Sequence, residues 1–147
     1  MRTAPLALAA LLAAAPAAAA PLDPTDPGDA AIMRGYDCAR DAKAAGFSPG
    51  AGARCARAMA AMERALAREP VLTPSQRNKV ALARVGFGLS ILGTEIKGEG
   101  GYGSRACARL PALRRELGRY RPGASPAFDR LRESHAAMLA TADAKCP

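Results

Sequence analysis

Apolar residues recur along this chain at helical intervals. Cys55, Met59, Met62 and Leu66 stand at i, i+4, i+7 and i+11, one stripe of a helix. Leu82, Val85, Leu89, Leu92 and Ile96 make a second stripe. Val80, Phe87 and Ile91 give the same segment another apolar side, and Arg84 is its one charge between residues 80 and 93. A helix apolar on nearly every side belongs at the centre of a fold. Gly86, Gly88 and Gly93 would let its neighbours approach closely. Leu110, Leu113, Leu117 and Tyr120 form the next stripe, and Phe128, Leu131, His135, Met138 and Ala142 the last.

Helix starts are marked as well. Asp26-Pro27, Ser48-Pro49, Thr73-Pro74 and Ser125-Pro126 each place a capping oxygen before a proline suited to the first helical position. Gln76 completes a capping box with Thr73. These signals predict helices over about 27–45, 50–69, 74–97, 104–120 and 126–145. A strand over 85–92 competes, because Val, Phe and Ile favour strands and glycines disfavour helices. The capping box decides for a helix. Pro111 is expected to kink or restart the fourth helix. The predicted fold is all-α: a small four- to five-helix bundle of antiparallel helical hairpins.

The first residues carry a different pattern. Met1-Arg2 is followed by leucines among alanines, a break at Pro16 and small residues through Ala20. That order predicts a secretory signal peptide over residues 1–19, cut near Ala19, because Pro21 disfavours a later site. The expected product is a single exported domain over residues 20–147, in the periplasm or outside the cell. No second long apolar run follows, so no transmembrane segment is expected.

The cysteines fit an oxidising compartment. Cys38, Cys55, Cys107 and Cys146 lie beyond the leader, with no C-x-x-C spacing for a metal, redox centre or haem. Cys38 precedes the turn at Phe47 by about as many residues as Cys55 follows it. Two antiparallel helices would therefore set them face to face. Cys107–Cys146 follows by elimination, and two disulfides are expected to brace the bundle.

Composition changes the picture in two ways. Half of the 147 residues are hydrophobic, but about a quarter of the chain is alanine, there is no Trp, and Phe and Tyr number three each. Alanine methyls bury little area, so the core must be thin. The net charge of +8 is also unevenly spread. Residues 23–41 hold five Asp against two Arg, whereas residues 105–132 hold eight Arg against Glu116 and Asp129. Arg105, Arg109, Arg114, Arg115, Arg119 and Arg121 are thus a candidate surface for an anionic partner, an acidic protein or an anionic envelope surface. Nucleic acid is not expected as a physiological partner of an exported chain with so few aromatics for stacking.

Catalytic chemistry finds little support. Residues 98–103 match G-x-G-x-x-G, but no strand precedes them, so a helix connection is expected instead of a phosphate cradle. No G-x-S-x-G elbow occurs, and any triad would have to pass through His135, the one histidine. His135 lies on the apolar stripe of the fifth helix, where it is either a core-edge residue or a haem ligand paired with Met33, Met59 or Met62. No enzyme activity and no cofactor are expected.

Cys-Ala-Arg recurs at 38–40, 55–57 and 107–109, an echo within an Ala- and Arg-rich chain. From Cys55 to Gly93 the chain resembles the helical hairpins of tetratricopeptide-type arrays, over about a quarter of its length. It lacks the aromatic and small-residue landmarks of that repeat. The expectation is a non-catalytic binding or interaction module of the cell envelope using the basic C-terminal hairpin. The alternatives are a haem- or small-ligand-carrying bundle built on His135, or a tetratricopeptide-like interaction protein.

Overall fold

Each of the four cap–proline pairs starts a helix. In the computed structural model, which describes residues 21–123 and 125–147, the side chains of Asp26, Ser48, Thr73 and Ser125 accept hydrogen bonds from the amides of Asp29, Ala51, Gln76 and Phe128. The helices are α1 (Pro27–Ala44), α2 (Pro49–Leu66), α3 (Pro74–Glu99), α4 (Ser104–Leu117) and α5 (Pro126–Lys145). The Thr73–Gln76 capping box is formed, and residues 85–92 are helical, not a strand. The predicted leader over residues 1–19 lies outside the described residues.

The ends differ from expectation. α2 and α4 each stop three residues early, and α3 runs two residues further, to Glu99. Gly100 ends α3 in the left-handed conformation at φ 70°, which a side chain would resist. Tyr120 leaves α4 to bury its ring, and its hydroxyl donates to Asp129 Oδ1 at 2.7 Å. Pro111 sits inside α4 without ending it.

α3 is central and touches all four other helices. α1 with α2 forms one hairpin, and α4 with α5 the other. Glycines permit this closeness. A methyl at Gly88 would collide with Leu113 of α4, and one at Gly52 with the Thr94 hydroxyl of α3. At Gly93 it would lie 2.7 Å from the Phe47 ring. Phe87, Leu82, Val80 and Val85 of α3 pack with Met62 and Leu110 as the fully buried centre. Both expected disulfides are present: Cys38–Cys55 joins α1 to α2 at a Cα–Cα distance of 5.3 Å, and Cys107–Cys146 joins α4 to the end of α5 at 5.7 Å.

Four pairs of the helices around α3 do not meet, among them α2 with α4, and α1 with α5. The first gap is spanned by Arg84. Its Nε and Nη2 donate to the two oxygens of Glu63 on α2 at 2.6 and 2.8 Å, and its Nη1 reaches Glu116 on α4 at 3.4 Å. Arg64 and Arg68 lie close to Glu63 in sequence. The bidentate partner across the bundle takes it instead, because a planar fork matches a carboxylate better than two loose surface cations do. Those bonds hold the Glu63 carboxyl below its ordinary range. In the second, Lys79 of α3 pairs with Asp29 of α1 at 2.6 Å and lies 5.7 Å over the Phe128 ring of α5.

Candidate functional site: an apolar cleft between α1 and α5

With α1 and α5 apart, one side of α3 stays uncovered between them. Ile32, Tyr36, Ala39 and Lys43 recur at i, i+4, i+7 and i+11 on α1 and form one wall. Leu131, His135 and Met138 at i, i+4 and i+7 on α5 form the other. Leu82, Ala83, Gly86 and Leu89 make the floor, and Phe47 stands at one end. The volume is about 280 Å³. Gly35 seats α1 directly on Ala83, 3.6 to 3.9 Å from where its Cβ would be. Phe47 holds its position through a left-handed backbone, φ 55°, uncommon and costly for a bulky residue.

Few polar groups interrupt this lining. The Ser90 hydroxyl is spent on the Gly86 carbonyl at 3.0 Å. Lys43 is the one lining residue with a formal charge. His135 is 8% exposed, and its Nδ1 is buried without a hydrogen-bond partner. A Cβ added at Gly86 would meet the imidazole Cε1 at 3.7 Å, so that glycine lets the ring sit close against α3.

Burial lowers the His135 pKa from its ordinary 6.5, so the ring is neutral at pH 7. The unfolded chain therefore takes up a proton near pH 6.5 that the native state refuses until lower pH. Stability should fall as pH drops through 6.5, by at most about 1.4 kcal/mol per pH unit. Melting temperatures at pH 7.5 and 5.5 check this: His135→Leu should lose less than the wild type over that interval.

The residues singled out in the sequence are distributed as follows. All four cysteines are paired in disulfides. The six arginines do not make one face. On α4, Arg114 lies half a turn around from Arg105, nine residues earlier. Arg109 Nε donates to Glu95 at 2.6 Å, Arg114 pairs with Asp143, and Arg119 with Glu116 at 3.1 Å. Arg121 donates to the Gly118 carbonyl at 3.2 Å. Arg119 and Arg121 are brought together with Arg77 and Arg84 around a polar hollow of about 530 Å³ that Glu116 also lines. Arg105 and Arg115 are exposed, away from that hollow.

Other expectations are corrected. Met33, Met59 and Met62, the candidate partners of His135 for a haem, do not line the cleft, and Met62 is fully buried elsewhere. The methionine beside His135 is Met138, which is 53% exposed at the rim. Leu139 takes its place in the core, on the alternative stripe His135, Leu139, Ala142. The glycine-rich run at 98–103 meets an anion of its own. Glu99 accepts from the first amides of α4, Arg105 N at 3.2 Å and Ala106 N at 3.4 Å, capping the one helix whose N-cap residue, Gly103, has no side chain. Among the described residues, no group of three or more His, Cys, Asp or Glu side chains is placed to hold a metal ion, and no helix is long and apolar enough to cross a membrane. No family model matches the chain, and no curated protein or solved structure is significantly similar to it.

Proposed function

We propose that this chain is an exported, non-catalytic binding domain that holds a small apolar ligand in the cleft between α1 and α5. The observation that carries the reading is an open apolar cleft with a buried, unpartnered histidine in its wall. A concave, largely apolar pocket with a few polar groups and a perturbed titratable residue is the usual form of a small-ligand site. The two disulfides and a leader-like N-terminus support export. The cleft is favoured over the basic hairpin because four of its six arginines already have acceptors within the chain. A volume of about 280 Å³ also suits a compact ligand better than a haem.

Binding of 4-(dimethylamino)benzonitrile, a compact neutral dye that brightens in apolar surroundings, tests this. Ala39 is exposed on the α1 wall, so Ala39→Trp would fill the cleft without touching the core. The wild type should enhance the dye's emission and Ala39→Trp should lose most of that enhancement with helicity intact. Equal enhancement by both proteins would place the dye elsewhere and remove the reading.

A further inference from the structure

Resting on that reading, we infer that the cleft takes a carboxylate-headed amphiphile free in solution: a medium-length acyl chain on the apolar floor, its carboxylate at Lys43. Three observations converge on this class. The first is size. A dry apolar cavity of about 150 Å³ accommodates benzene, and in proportion the 280 Å³ here holds roughly eleven non-hydrogen atoms. That matches an eight- to ten-carbon carboxylate.

The second is the order of groups along the cleft. Ile32 and Lys43 stand about 16 Å apart along α1 at 1.5 Å rise per residue. Ile32, Leu82 and Leu131 line the cleft without any charge. The opposite end lies level with Phe47, where Gly93 of α3 meets the Phe47 ring, and Lys43 is four residues before Phe47. The site is thus apolar along its length and cationic at one mouth, the layout that an amphiphile with one anionic end matches.

The third is the electrostatic state of that mouth. No Asp or Glu lines the cleft, so a carboxylate entering it meets no like charge. Lys43 is exposed and belongs to none of the ion pairs among the described residues. The neighbouring cation Arg40 is engaged with Asp37 and Asp41. Lys43 can lay its methylene stem along the apolar wall and keep its ammonium at the rim, where it would meet a head group.

Displacement of 4-(dimethylamino)benzonitrile by decanoate and by decan-1-ol provides the test. The two share a chain length and differ in head charge. Decanoate should displace the dye from the wild type. Lys43→Gln should weaken decanoate about three-fold, as an exposed ion pair would. Lys43→Glu should weaken it further, Lys43→Arg should restore it, and decan-1-ol should be indifferent to all three. If both ligands respond equally to these substitutions, or neither does, the head-group assignment is overturned while the apolar cleft stands. If the dye binds and Ala39→Trp blocks it, yet neither ligand competes, the amphiphile itself is overturned. If the dye does not bind at all, the cleft reading fails and this inference with it.

Discussion

Replacing Cys107 and Cys146 together with serine is expected to lower the unfolding free energy by about 3–4 kcal/mol. The bridge closes a stretch of 39 residues, and constraining an unfolded chain over that length removes more entropy than the 17-residue stretch closed by Cys38–Cys55. The difference between the two bridges should be about 0.7 kcal/mol. Cys146 is also the residue at which α5 ends, and it lies beside the contact of Lys145 with the Tyr102 ring, 5.4 Å away. Without the bridge, the last turn of α5 keeps the buried Ala142 and the Arg114–Asp143 pair but loses its covalent tie to the start of α4. Typical domain stability is about 5–15 kcal/mol, so the loss is a large share for a core rich in alanine. Urea unfolding of the double variant beside the oxidised and reduced wild type measures it. Identical midpoints for all three would show that helix packing alone sustains the fold.

Much of this architecture was legible because its signals are local. Asp26, Ser48, Thr73 and Ser125 bind amides three residues away, and that geometry needs no knowledge of the tertiary fold. The Cys38–Cys55 pairing followed from counting residues on either side of one turn. The centrality of α3 followed from its being apolar on most sides, and its glycines did mark close approaches. Helix ends were less legible. Whether α4 stops at Leu117 or Tyr120 depends on Asp129, which accepts the tyrosine hydroxyl from the following helix.

The cleft was not legible, and the reason is geometric. Its walls obey helical spacing on α1 and α5, but so do the faces that pack into the core. Periodicity reports that Leu131, His135 and Met138 share a side of α5. It does not report that α1 stands opposite without touching, which leaves Met138 at a rim and sends Leu139 inward. Partner choice among charges is equally non-local. Glu63 has Arg64 beside it and Arg68 five residues on, yet it pairs with Arg84, twenty-one residues away. A charge isolated in an apolar run was the one signal that could have found this bridge, since such a residue needs a partner from another helix.

Phe87→Ala and Leu89→Ala, two residues apart on α3, should differ sharply in cost. Phe87 is 0% exposed and lies on the packed side of the helix. Its truncation removes the ring's apolar area and leaves a void that surrounding helices, fixed by two disulfides, cannot fully collapse, for a loss of about 3–5 kcal/mol. Leu89 is partly buried and lines the cleft. Cutting it back merges the vacated space with a volume already open to solvent, so no sealed cavity forms and the transfer of a half-buried side chain remains, about 1 kcal/mol. The ratio between the two losses reports whether the cleft is open in solution. If Leu89→Ala costs as much as Phe87→Ala in denaturant unfolding, α1 and α5 close over α3, and the site proposed for a ligand is ordinary core. A small loss at Leu89, with dye binding altered and helicity unchanged, is what an open cleft requires.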